Sequence, residues 1–187
     1  MNWTLILWII VGVLILLLLW LWGMYNAFIS ERNRVKTDYA DIDVQIKRRA
    51  SLIENLATLV REYAKHEKGT FEEVAKARSA INSAKGAKDS AVADNMLTAT
   101  LRSLFAVSEA YPKLKASENY QSLNQQIEET ENKIAEYRET YNQTVLGFNT
   151  LVQTFPNLLA AKLFGFTEQE LFETSSADSK DIKLTPA

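Results

Sequence analysis

An uncharged apolar run near the start of the chain restricts the fold more than any other feature. Residues 3–22 have the sequence WTLILWIIVGVLILLLLWLW, and the first charged side chain after it is Glu31. A helix of about 20 apolar residues crosses the ~30 Å hydrocarbon core of a bilayer. The run therefore predicts one transmembrane helix. Aromatic residues are enriched at both membrane interfaces, and the predicted anchors are Trp3 and Trp8 at one interface and Trp20, Trp22 and Tyr25 at the other.

A cleaved signal peptide is the main alternative for this segment. Signal peptides begin with basic residues, have a shorter apolar core and end at a small-residue cleavage site, and this run fits none of these. Lysine and arginine follow the run but do not precede it, beginning with Arg32, Arg34 and Lys36. The positive-inside rule therefore predicts a short N-terminal stub outside the membrane and a cytoplasmic C-terminal domain.

Composition argues against several classes of function. The chain has no cysteine, a net charge of -2 and a single histidine, His66. These values remove disulfides and cysteine metal sites, and they give no bulk attraction for nucleic acid. One histidine leaves a catalytic triad or a carboxylate-bridged di-iron site without its required residues. We therefore expect no enzyme activity, no cofactor, no metal site and no nucleic-acid partner.

Two long heptad patterns occupy much of the remaining chain. Apolar residues recur every three or four positions from Val35 to Tyr63, interrupted only by Arg49. A second pattern of the same kind runs from Tyr120 to Phe155. Spacing of this kind predicts two long helices, each with one apolar seam that must pack against another surface.

Shorter helices are predicted between and around the long ones. The sequence TFEE at residues 70–73 matches a capping box, which predicts a helix starting at Thr70. Asp89 or Ser90 is expected to cap a third helix that ends near Pro112, and Ser117 is expected to cap the second long helix. The inner side of the third helix is predicted to carry Val92, Met96, Leu97, Leu101, Leu104 and Phe105.

These elements predict an all-α fold. An N-terminal transmembrane helix would be followed by an antiparallel four-helix up-and-down bundle with two long helices. The predicted boundaries are residues 1–24 for the stub and membrane helix, 25–173 for the bundle, and 174–187 for a polar, disordered tail. Only Gly23 weakens the helical pattern at the junction, which suggests the hypothesis that the membrane helix continues into the first bundle helix.

Several motifs follow the apolar run in a set order, beginning with Tyr25-Asn26 and the stretch DIDVQIKRR at residues 41–49. They resemble the LemA family: the stretch is very close to the family's most distinctive motif, and Tyr25-Asn26 is similar to its opening motif. The resemblance covers residues 25–172 and includes LIENL, YAKHE, YPKL, FP and FGF in the family's order. It implies an anchored helical protein of the bacterial inner membrane with a cytoplasmic domain. Some relatives are associated with organising internal membranes, but the family implies no settled biochemical activity.

Two polar groups are candidates for contacts. Lys47, Arg48 and Arg49 would either bind anionic lipid or an acidic partner, or form a charged helix face. In the second interpretation, which we favour, Arg49 pairs inside the bundle with Glu128, Glu131 or Asp43. Asn142 and Asn149 lie seven residues apart, so they would either form a polar site between helices or, as we favour, fix the bundle register.

Two functions remain open. The leading hypothesis is a self-associating structural or scaffolding protein that organises the cytoplasmic face of the membrane. The alternative is a monomeric tethered binding module that recruits or regulates another membrane protein through Tyr111, Lys113 and Lys115. The predicted partners are the lipid bilayer, further copies of the chain and, in the alternative, another membrane protein.

Overall fold

The computed structural model describes residues 3–64 and 67–172, with only the backbone of Lys68, and within these ranges its regular secondary structure is α-helix, without strands. The predicted fold class is thereby confirmed at the level of an all-α chain with a long apolar N-terminal helix. His66 and the tail from residue 174 lie outside the described residues. The helices are α1 (Trp3–Tyr63), α2 (Lys68–Ser83), α3 (Ala87–Glu109), α4 (Pro112–Lys115), α5 (Glu118–Gln153) and α6 (Asn157–Phe164).

The apolar run forms the first part of α1, which continues without interruption past Gly23. Its side chains have almost no protein cover: Trp3 is 80% exposed, and none of the 18-residue window of highest hydropathy is buried. The helix is long and apolar enough to cross a membrane. A helix that is apolar all round is stable where its surroundings are also apolar, as in a bilayer.

The predicted seam of α1 faces the protein interior. Its buried members are Val35, Ile42, Ile46, Ile53, Leu56 and Val60, and Arg49 is buried among them. The seam of α5 is buried at most of its predicted positions, but Phe155 is 80% exposed because α5 ends two residues earlier, at Gln153. Ser117 caps α5 as predicted, since its Oγ accepts a hydrogen bond from the backbone N–H of Tyr120 at 3.4 Å.

The predicted starts of α2 and α3 are wrong by two or three residues. Helix α2 begins at Lys68 rather than Thr70 and so includes Gly69, with no side-chain hydrogen bond capping its first turn. Helix α3 begins at Ala87, after Gly86 turns the chain at a φ of 85° that favours glycine. Asp89 instead accepts a hydrogen bond from the backbone N–H of Lys85 at 3.1 Å, which ties down the loop before the helix.

The inner face of α3 also differs from the prediction. Val92 and Met96 are exposed, whereas Leu97, Leu101 and Leu104 are buried as expected. Small or polar residues occupy the rest of the buried face, namely Ala87, Ser90, Ala91, Ala93, Asp94, Thr100 and Ser108. The prediction followed the largest apolar side chains, but small ones allow close approach of helices and leave room for a large partner such as arginine.

The chain divides into two compact units. The first unit is drawn from Met1–Thr37 and Gln143–Gln169, and the second from Asp38–Asn142 and Glu170–Ala187. The first contains the apolar part of α1, the end of α5, and α6. The second contains the rest of α1, helices α2 to α4, and the start of α5. Each is described below by itself.

Candidate functional site: a buried charge cluster and a clamped C-terminal segment

Three charged side chains from three helices meet inside the second unit. Asp94 on α3 accepts a hydrogen bond from Nη1 of Arg49 on α1 at 3.1 Å, and its other oxygen accepts one from Nη2 of Arg138 on α5. Arg49 and Asp94 are almost completely buried. Glu131 lies 3.5 Å from Nη2 of Arg49, but its side chain is 54% exposed. One buried carboxylate thus pairs with two guanidinium groups, which makes it the central charge of the cluster.

The packing around Asp94 explains how α3 accommodates the cluster. The neighbouring turn of its buried face carries Ser90 and Ala91, whose side chains take little volume. Arginine nevertheless satisfies only part of its hydrogen-bonding capacity here, because the Nε atoms of Arg49 and Arg138 are buried without a hydrogen bond within the described residues. Unmade hydrogen bonds are costly in a protein interior, so the pairing with Asp94 must offset this cost.

Aromatic residues extend the cluster on one side. The guanidinium of Arg138 lies over the ring of Phe172, 4.8 Å from its centroid, in a cation–π contact. Tyr39 hydrogen-bonds through its hydroxyl to Oγ of Ser90 at 2.8 Å, and its ring centroid is 6.1 Å from that of Tyr141. Tyr141 donates a hydrogen bond to the backbone carbonyl of Glu170 at 2.8 Å. Two residues of the segment after α6 are therefore held by side chains of α5.

Asn142 fixes the same segment through its side-chain amide. Its Nδ2 donates to the carbonyl of Phe172 at 3.1 Å, and its Oδ1 accepts from the N–H of Phe172 at 2.8 Å. An extended residue turns its N–H and C=O to the same side, so one carboxamide can satisfy both, as a neighbouring strand does. Because Phe172 is 1% exposed, this pairing replaces hydrogen bonds that water would otherwise supply.

Asn149 shows the same pattern within the first unit. Its Nδ2 donates to the carbonyl of Gln169 at 2.9 Å, and its Oδ1 accepts from the N–H of Gln169 at 2.8 Å. Asn142 and Asn149 thus bind non-helical backbone, and their predicted roles, a polar site between helices or a device for helix register, stay predictions. The heptad pattern places both side chains correctly on α5, but it says nothing about a segment without periodicity that packs against them.

The three basic residues at positions 47–49 lie partly on the surface and partly in the interior. Lys47 forms an ion pair with Asp43 at 2.6 Å, one turn earlier on α1, and this hydrogen bond raises the pKa of Lys47. Arg48 is exposed, and Arg49 enters the buried cluster. Of the carboxylates proposed from sequence for Arg49, Glu131 is in contact, and the principal partner, Asp94, was missed.

Asp94 and Arg138 carried a weak signal in the sequence. Asp94 is spaced three or four residues from Ser90, Ala91 and Leu97, so it falls on the buried face once small residues are counted as interior.

The predicted membrane-anchor residues lie in the first unit. Trp3, Trp8 and Trp22 are exposed, Trp20 is half-buried, and Tyr25 contacts aromatic residues at the end of α6.

Comparison with known proteins connects this arrangement to a family. The model of the LemA family matches residues 38–185, which is most of the chain. The chain belongs to the LemA family. Relatives include magnetosome protein MamQ of Magnetospirillum gryphiswaldense, 25% identical, and magnetosome protein MamQ 2 of Paramagnetospirillum magneticum, 23% identical. Each comparison covers 87% of this chain and 69% of the relative.

In this LemA-family protein, alkaline pH is expected to weaken the hydrogen bond from Tyr141 to the carbonyl of Glu170. Burial, followed by the nearby Tyr39 and Glu170, raises the pKa of Tyr141 to about 12. Its pKa in the unfolded chain is about 10. The stabilisation is fully present below pH ~10 and is lost as pH rises through ~12, because the unfolded chain gives up this proton first. Unfolding midpoints in urea from pH 9 to 12 should show a decline that Tyr141→Phe reduces, whereas an identical decline in both proteins would contradict this assignment.

Proposed function

We propose that this protein is a membrane-anchored, self-associating structural protein that organises the cytoplasmic face of a bacterial membrane. The observation that carries the proposal is the structure of α1, in which a bare apolar stretch long enough to span a bilayer belongs to the same helix as a tightly packed seam. A helix that continues from a membrane-spanning stretch into a packed domain suits a mechanical role. The fully buried charged groups in the described part of the second unit, Arg49 and Asp94, are paired with each other, and the proposal includes no catalytic activity.

The comparisons support a role at a membrane. Two relatives are named magnetosome proteins, and the family resemblance already links some members with the organisation of internal membranes. We carry this general role, and nothing narrower, to the present chain.

We further propose that the second unit is the predicted antiparallel four-helix up-and-down bundle. Side chains of α1 contact the other three principal helices: Glu54 pairs with Arg78 of α2, and Arg49 contacts Asp94 of α3 and Glu131 of α5. The connection between α2 and α3 is short, which favours antiparallel neighbours.

The proposed orientation places the helical domain in the cytoplasm. It rests on the basic residues Arg32, Arg34 and Lys36, which follow the apolar run. A cysteine introduced near residue 36 should react with an impermeant maleimide only in inverted membrane vesicles. Labelling of intact spheroplasts at this position would reverse the orientation.

Self-association is tested by the size of the complex. Ile15 and the leucines at positions 14 and 16–19 of α1 are exposed around the helix and can pack between copies through van der Waals contacts. We expect light scattering and electron microscopy to show a discrete homo-oligomer in polymer-bounded native lipid discs. Serine at positions 16–19 should reduce its mass, and isoleucine at the same positions is the control that retains apolar character. A monomer in the unaltered protein would contradict self-association.

A tethered binding module is the second candidate, and one groove favours it. A cavity of about 440 Å³ in the second unit lies between α1 and α2 and is lined by polar and apolar side chains, including Glu54, Arg61, Phe71 and Arg78. Arg61 lies over the Phe71 ring, 4.6 Å from its centroid, at this groove. Recovery of a monomer with another membrane protein at fixed stoichiometry, lost on Arg61→Glu but retained on Lys36→Glu, would support this function over the scaffold.

A further inference from the structure

Helix α6 in the first unit exposes the side chains that a water-facing helix would bury. Its large apolar residues Leu159 and Leu163 are 59% and 67% exposed, one turn apart, whereas the small Ala160 and Ala161 are turned inward and almost fully buried. For a protein in water, removing a leucine side chain from the solvent is strongly favoured. The outward orientation of Leu159 and Leu163 therefore points to an apolar surrounding. Just before the helix, Phe155 is also largely exposed.

The end of α6 is fixed beside the point where α1 leaves the apolar run. The ring of Phe164 is 5.1 Å from that of Tyr25, and the ring of Phe166 is 4.9 Å from that of Phe28. Gly165 makes this return possible: its φ of 73° reverses the chain, and the N–H of Phe166 then donates to the carbonyl of Ala161. Tyr25 follows the last tryptophan of the run by three residues, a rise of only ~4.5 Å along the helix.

We propose that α6 is a second membrane contact, lying in the interfacial layer of the leaflet from which α1 emerges, with Leu159 and Leu163 directed toward the acyl chains. Interfacial helices insert their apolar face by roughly 5–10 Å at the headgroup boundary, which matches the level of Tyr25. Lys162 is exposed beside the leucines and is placed to reach lipid phosphates, because lysine extends its charged end toward the polar region. The inference rests on the proposed membrane anchoring by α1.

The occupant of this surface is argued from continuity. Tyr25 joins the aromatic residues at the end of α6 to the end of a segment that is itself exposed, apolar and of membrane-spanning length. A bilayer that surrounds that segment must also reach the neighbouring surface of α6. A second copy of the chain has no such requirement, and it is the competing occupant that the experiment must separate.

The absence of cysteine allows single labels at chosen positions. The full chain would be placed as one copy per nanodisc, made of phosphatidylcholine and phosphatidylglycerol in a 3:1 ratio, roughly the anionic content of a membrane surface that attracts basic residues. Nitroxides would be attached to Leu163→Cys, Leu14→Cys or Lys36→Cys. Electron paramagnetic resonance would compare their access to oxygen, which partitions into lipid, with access to a water-soluble nickel chelate.

We expect the label at position 163 to resemble that at position 14, with greater access to oxygen than to nickel. The label at position 36, roughly 21 Å beyond the last tryptophan on α1, should show the opposite order. Equal behaviour at positions 163 and 36 would overturn the proposal, as would low access to both reagents at 163, which indicates cover by protein. If position 14 is also open to nickel, the anchor itself fails, and this outcome is distinct from failure of α6 alone.

A surface variant provides a second measurement. Leu159→Ser in the Leu163→Cys chain should at least halve the ratio of oxygen to nickel access, because it removes the one leucine of the proposed inserted pair that the label has not replaced. Gln153→Ser, which changes an exposed position at the end of α5, is the matched control and should leave the ratio unchanged. Equal ratios for all three proteins would contradict insertion of this face, and circular dichroism would verify that helix content is retained.

Discussion

Replacing Asp94 with alanine is expected to lower the free energy of unfolding by about 3–5 kcal/mol, the usual cost of removing one partner from a buried ion pair. Asp94 is a buried carboxylate that contacts both Arg49 and Arg138. Its removal leaves two guanidinium groups close together in the interior with only the exposed Glu131 nearby. Since domains are stable by about 5–15 kcal/mol in total, the second unit should be close to unfolding. Pulse proteolysis across a urea series in nanodiscs would give the midpoint.

Glu131→Gln is the matched control, because it removes the other carboxylate that contacts Arg49. Its side chain is 54% exposed, so water screens the interaction and the expected cost is below ~1 kcal/mol. Equal destabilisation by the two substitutions would show that burial of the charge is not decisive. A triple replacement of Arg49, Asp94 and Arg138 by methionine or leucine should recover much of the lost stability, since it removes the charges together.

Periodicity made the long helices predictable from the sequence. The α1 seam could be predicted because branched and long apolar residues recur over four heptads, whereas the buried partner of the intruding Arg49, Asp94, was not among the carboxylates predicted for it. The inner face of α3 could not be predicted in the same way, because alanine and serine are compatible with both surface and interior. Asp94 therefore gave the same local signal as a solvated surface charge, although its burial is decided by two arginines more than 40 residues away.

The first residue of a helix is also difficult to predict from local sequence. The capping box predicted at Thr70 is locally consistent, but α2 begins at Lys68 and its first turn has no side-chain cap. One cap contributes about 1 kcal/mol, and packing of Val74, Ala77 and Ile81 into the interior contributes more. Tertiary packing can thus extend a helix beyond its best local signal. At Ser117, where no such conflict exists, the predicted cap forms.

The position of the C-terminal segment could not be predicted from sequence patterns. Residues 166–172 have no regular secondary structure, so their position is set by side chains elsewhere: Tyr141 and Asn142 hold residues 170 and 172, and Asn149 holds Gln169. A sequence shows that an asparagine occupies a helix face, but backbone groups are common to all residues and leave no signature of their own. The contact can be found only when the chain is folded.

Asn142→Leu is therefore expected to release the residues around Phe172. Leucine preserves the approximate size of the side chain but removes a donor and an acceptor, which leaves the N–H and C=O of a buried residue unpaired. Each of the two unpaired groups costs about 1–3 kcal/mol, so local opening should become easier by about 2–6 kcal/mol. Hydrogen exchange by mass spectrometry should show roughly 30- to 20,000-fold faster exchange in the peptide ending at Phe172, since about 1.4 kcal/mol corresponds to tenfold.

Asn132→Leu, at an exposed position of the same helix, should leave this exchange rate unchanged. A rate that is also unchanged in Asn142→Leu would mean that the buried ring of Phe172, with Arg138 over it, holds the segment without the amide. Asn142→Asp separates the two hydrogen bonds. The carboxylate can still accept from the N–H of Phe172, but it cannot donate, and its charge would face the carbonyl oxygen of the same residue. If both hydrogen bonds between residue 142 and Phe172 are needed to hold the segment, backbone amides there should exchange at least as fast in the aspartate variant as in the leucine variant. This should hold although aspartate has nearly the same shape as asparagine.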